Sequence, residues 1–167
     1  MKTTSKIYVA MAAMLLAALA IPAAAQNHVP FNGAVQGHDE DSQGPCGTPV
    51  PNAPILCVVT TGTAMGSQGQ FSLKQFGTVD LLAGRETGTA IWTADNGDVM
   101  YTTLTGSGGP DGNSSLIRIT EIHTITGGTG RFAGAYGTFT MERWGNAATF
   151  TTAGSFHGTI VLPGAAQ

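Results

Sequence analysis

From Phe31 onward, hydrophobic and polar residues alternate in short runs separated by turn-forming clusters. Side chains that alternate at period two face opposite sides of a sheet, so each run reads as a strand with one buried face. The runs are Phe31–Glu40, Cys57–Met65, Gln70–Val79, Glu86–Ala94, Asp98–Gly106, Leu116–Thr126, Phe132–Arg143 and Phe150–Val161. Between them lie Ser67-Gln68-Gly69, Ala83-Gly84, Asp95-Asn96-Gly97, Gly108 to Asn113 and Gly127 to Gly130. Asn96-Gly97 between two threonine- and aromatic-bearing runs is a strong hairpin signal. No segment after the N-terminal apolar run keeps a 3.6-residue period, and the abundant Thr and Gly disfavour helix. Eight short, closely spaced strands predict an all-β, eight-stranded antiparallel up-and-down barrel, because closure removes exposed edges. An open sandwich is the rival arrangement.

The N-terminus departs from this pattern. Lys2 and Lys6 precede an apolar run from Ile7 to Ile21, and Ala23-Ala24-Ala25 offers small residues for cleavage before Gln26. The expectation is a signal peptide over 1–25 and one barrel domain over 26–167, exported to the periplasm or the exterior. The mature chain would have no membrane span. It would carry five basic residues against ten acidic ones, a formal balance of −5. Without a basic stripe, a phosphate backbone would meet net repulsion, which argues against nucleic acid as a partner.

Cys46 and Cys57 are the two cysteines of the chain and bracket a proline-rich stretch, CGTPVPNAPILC. In an oxidising compartment such a pair is expected to form a disulfide closing the 44–57 loop, worth about 2–3 kcal/mol. Two free thiols or a metal pair are the alternatives, the latter without a recognisable partner set.

Several chemistries find no support. The chain has no Gly-x-Ser-x-Gly elbow, and Gly127 to Gly130 lacks the Lys-Ser/Thr ending of a phosphate loop. Asp95, Asn96 and Asp98 do not continue into a calcium loop. No metal and no cofactor is expected.

The segment ITGGTGRFAGAYGTFTM, Ile125 to Met141, reads as a glycine-dense turn opening a strand in which Phe132, Tyr136 and Phe139 alternate with Ala and Gly. Its first part, Ile125 to Gly137, resembles a signature near the last strands of the allene oxide cyclase and dirigent-like barrels, above all their small secreted bacterial relatives of unassigned function. Gly66 to Ser72 following Thr61 to Ala64, and Gly88-Thr89-Ala90 leading to Ala94 to Asp98, fit the same pattern. The resemblance spans roughly Phe31 to Val161 and implies an eight-stranded barrel, often a homodimer or homotrimer. It implies chemistry on apolar molecules enclosed in the barrel, but the family's catalytic carboxylates have no counterpart that can be placed residue by residue.

Strand parity narrows the site. On the sixth run Ile117, Ile119, Glu121, His123 and Ile125 share one face. If that face lines the interior, Glu121 and His123 are candidate catalytic acid and base, with burial raising the carboxyl pKa and an imidazolium opposing the rise. Both faces carry apolar residues, which leaves the inward side open and hints at a partner chain outside. Trp92, Tyr101, Tyr136 and Phe156 are candidate ligand-binding aromatics, while His157 is a lone strand histidine. Asp39-Glu40-Asp41 falls where acidic residues would face a barrel mouth or form a hydrated loop. Three functions follow: a barrel binding a small apolar ligand, a structural or surface-interaction protein with a packed barrel, or an isomerase or cyclase acting on an apolar substrate.

Overall fold

Alternation along each run is realised as a closed sheet. The computed structural model describes residues 27–41, 54–112 and 114–163, so the expected leader lies outside the described residues. Eight strands follow in order: β1 (Asn27–Asp41), β2 (Ile55–Gly66), β3 (Gly69–Asp80), β4 (Arg85–Ala94), β5 (Val99–Pro110), β6 (Leu116–Gly128), β7 (Tyr136–Asn146) and β8 (Thr151–Leu162). Each pairs antiparallel with its sequence neighbour, and β1 pairs with β8 to close the barrel. The expected eight-stranded antiparallel barrel is the fold. No helix of the described residues is long and apolar enough to cross a membrane.

One expectation about a segment needs correcting. The run from Phe132 to Arg143 is not one strand: Gly130-Arg131-Phe132 forms a short 3-10 turn, and β7 starts at Tyr136. Gly130 and Gly134 both have positive φ, +53° and +70°, which breaks the extension that the alternating aromatics suggested. The expected Cys46–Cys57 disulfide and the loop it would close fall mostly outside the described residues. Cys46 lies outside them, and Cys57, which is not a free thiol, is a strand residue of β2 opposite Thr78.

One end of the barrel is plugged by aromatic rings. Phe31 meets Phe139 and Phe156 with ring centroids 4.8 Å away, and Trp92 at 5.7 Å. Phe71 and Phe132 lie beyond, 5.9 Å apart, and all six rings are fully buried or nearly so. The edge-to-face pairs among them, Phe31 with Phe139 and with Trp92, add roughly 0.5–1.5 kcal/mol each beyond the area they bury. The 3-10 turn seats Phe132 under this end, and Asp98 accepts the Arg131 N–H at 3.1 Å beside it. A Cβ at Gly130 would overlap the Asp98 carboxylate. Gly130→Ala should therefore cost about 1–3 kcal/mol, read as a lower midpoint in urea unfolding. An unchanged midpoint would mean the turn is not fixed by this glycine.

Asn96-Gly97 turns the chain between β4 and β5, with Gly97 at φ +85° and the Asn96 side-chain oxygen accepting from the Asp98 N–H. The eighth strand starts at Thr151, one residue later than expected, because Phe150 itself sits at φ +57°.

Candidate functional site

Parity carries a second message at the opposite end of the barrel. On β3, β4, β6 and β7 the inward faces that begin with Phe71, Trp92, His123 and Phe139 continue to Gln75, Glu86, Glu121 and Arg143. Asp39 on β1 joins them. Closure brings these five polar groups, far apart in sequence, into one buried cluster.

Arg143 is its centre. Its Nε and Nη2 donate to Glu121 Oε2 and Oε1 at 3.1 and 3.0 Å, a bidentate pair. Its Nη1 donates to Asp39 Oδ2 at 3.3 Å and to Thr152 Oγ1 at 3.1 Å. Gln75 Nε2 donates to Glu121 Oε1 at 2.6 Å and to Glu86 Oε1 at 3.2 Å. Thr60 Oγ1 donates to Asp39 Oδ1 at 2.6 Å. Glu86 Oε2 stands 3.8 Å from Arg143 Nη2, outside hydrogen-bond range.

These contacts split the two glutamates. Burial alone would raise the Glu121 carboxyl, but the Arg143 guanidinium overrides it, with His123 adding to the effect, and holds the group well below the usual range. Glu86 goes the other way. Burial, then the Glu121 charge, push its carboxyl up to about 8 against the opposing pull of Arg143. Burial would lower Arg143, yet Glu121 first, then Asp39 and Glu86, raise it. At neutral pH the cluster thus holds ionised Arg143 and Glu121 and a protonated Glu86. Gly77 makes room for that last side chain, since a Cβ there would overlap the Glu86 carboxyl.

Above the cluster the barrel opens into a cavity of about 480 Å³. Asp39, Glu86 and Arg143 form its floor, and Leu56, Val58, Val79, Leu81, Ile117, Ile119 and Phe150 supply apolar wall. That volume suits a small organic molecule.

The sequence candidates scatter over this frame. Glu121 and His123 do face inward and are fully buried, with His123 Nε2 4.0 Å from Glu121 Oε2. Neither lines the cavity. His123 stacks on Phe139 at 4.7 Å and shares a hydrogen bond between its Nδ1 and Thr102 Oγ1 at 3.0 Å. Trp92 and Phe156 belong to the packed aromatic end, and Tyr101 and Tyr136 lie on the outer surface. Ile122 and Trp144 are also exposed on the outside, and so is His157. Of the acidic run, Asp39 reaches the floor and Glu40 the cavity wall. Sequence reasoning missed Arg143, Glu86 and Gln75, although each shares a parity with buried aromatics on its own strand.

No family model matches the chain, and no curated protein sequence matches it. Among solved structures it is similar to the pterocarpan synthase dirigent protein GePTS1, at 10% identity and a TM-score of 0.55, over 82% of this chain and 91% of that one. At that identity the likeness is one of fold, and what the chain shares with the dirigent protein is its barrel.

Proposed function

We propose that this chain is an exported barrel that binds a small, predominantly apolar molecule in the cavity at its open end. The observation that carries the reading is the cavity itself: about 480 Å³, walled by aliphatic side chains, with Asp39, Glu86 and Arg143 on its floor and Glu40 and Arg85 at its rim. A pocket so composed takes an apolar body by burial and orients it through a few polar contacts. The basic, apolar and small-residue succession over 1–25 supports export. The shared fold with a dirigent protein described as a pterocarpan synthase is compatible with small-molecule chemistry in a barrel of this shape.

A second reading, an isomerase or cyclase, rests on Glu86 rather than on Glu121. Glu86 lines the cavity and keeps its proton at neutral pH, the state a general acid requires. Glu121, ionised and locked to Arg143, serves to position the floor.

Gly145 offers the test. It lines the cavity, and a Cβ there would sit in ordinary contact, 3.5 Å from Ile119 Cδ1 and 3.7 Å from Asp39 Oδ2. Gly145→Leu should fill the cavity without disturbing the barrel. We expect native mass spectra of the mature protein, mixed with a panel of small apolar compounds, to show adducts that weaken at least about tenfold in the variant, as loss of the burial of several methylenes implies. Equal binding by both proteins would remove the cavity as the site.

A further inference from the structure

Resting on that reading, we propose that the cavity selects an amphiphilic amine, its ammonium held on Glu86 and its apolar body along the aliphatic walls. Three carboxylates, Asp39, Glu86 and Glu121, share a single guanidinium at this end of the interior. The remaining strands bring no compensating charge: β2 and β8 contribute Thr60 and Thr152, and β5 places Gly106 beside Glu121. His123 on β6 is turned to Thr102 and Phe139. Glu40 and Arg85 are exposed at the rim and of opposite sign.

Arg143 is not available to an anion. Its Nε and Nη2 are committed to Glu121 and its Nη1 to Asp39 and Thr152, so a ligand carboxylate would have to break a buried bidentate pair. Acceptors, by contrast, are in surplus. Glu86 Oε2 lies 3.8 Å from its nearest cation, and Asp39, beside it on the floor, shares that same guanidinium. An ammonium supplies one positive charge and three donors to a floor short of both. A neutral alcohol supplies neither the charge nor enough donors.

The linkage has a definite sign. Below about pH 8 Glu86 carries a proton, and the ammonium replaces it, so one proton leaves to solvent for each amine bound. A primary amine keeps its own proton until roughly pH 10.

Titration calorimetry of the mature protein with octylamine, octanol and octanoate, between pH 6 and 9 and in two buffers of different ionisation enthalpy, tests this. Octylamine is expected to bind tightest, to tighten about tenfold per pH unit up to pH 8, and to release close to one proton at pH 7. Glu86→Gln should weaken octylamine roughly 10- to 100-fold at pH 8 and flatten its pH profile, with thermal unfolding confirming the folded state. Gly145→Leu, which keeps Glu86, should weaken binding of all three probes at least about tenfold. Octanol matching octylamine, octanoate binding best, or a pH-independent octylamine affinity would overturn the amine assignment and leave the cavity reading standing. If none of the three bound, nor any compound of the apolar panel, the cavity reading would fail with it.

Discussion

Arg143→Met is expected to lower stability by roughly 3–5 kcal/mol, the usual consequence of removing one partner of a buried ion pair. The residue is 3% exposed and supplies all the positive charge within hydrogen-bond range of Glu121 and Asp39. Without it, among the described residues, Glu121 keeps the Gln75 amide and a more distant His123 ring, and Asp39 keeps the Thr60 hydroxyl. For a chain of this size that corresponds to roughly 10–20 °C in Tm. Glu121→Gln should cost less, because Arg143 retains Asp39 at 3.3 Å and Glu86 at 3.8 Å. The double variant should recover part of the loss, since the orphaned charge is gone, with a coupling of about 1–3 kcal/mol. Thermal and urea unfolding of the three proteins would decide. A loss under about 1 kcal/mol in Arg143→Met would mean the cluster is solvated and not a buried charge network.

Strand number, order and approximate limits were legible because alternation and turn chemistry are local. The one glycine-rich failure was local as well. GGTGRFAGAYG carries strand-like alternation, but two left-handed glycines, 130 and 134, fold its start into a turn. The inward face of β6 was ambiguous because Ile122 and its neighbours put apolar residues outside, where Ile122 is 53% exposed. Closure resolves it, placing Glu121 and His123 inside.

The site was much less legible than the fold. Its decisive contacts join residues such as Gln75 and Glu121, 46 positions apart and three strands removed, so they depend on how the strands are staggered around the barrel. Parity alone does mark Arg143, on one face with Phe139 and Met141, as a charge facing a core. A buried arginine needs a carboxylate, and Glu121 was already in view two residues from His123. What parity does not give is which carboxylate Arg143 neutralises and which it leaves with its proton. Burial alone would raise both carboxyls; Arg143 reverses that at Glu121 and leaves it standing at Glu86.

At Glu86 that difference yields a pH dependence opposite in sign to ordinary acid unfolding. Glu121, depressed in the native state, contributes stability that is complete above its unfolded value near pH 4.3 and is lost as pH falls toward its native one. Glu86 is raised to about 8 in the native state. Between roughly pH 4.3 and 8 the folded protein therefore holds a proton that the unfolded chain has released, so stability falls as pH rises and levels off beyond 8. Glu86→Gln replaces the protonated acid by an amide of the same shape and removes this slope. Wild type and variant should unfold alike near pH 5, and the variant should be more stable by on the order of 3 kcal/mol at pH 9. Urea unfolding across that range measures the difference. A gap that is constant with pH, or that favours wild type at pH 9, would show that Glu86 ionises without penalty and is solvated through the cavity. A growing gap would identify a group that costs the fold at neutral pH while facing an apolar cavity. Packing has no use for such an acid, whereas a ligand that replaces its proton does.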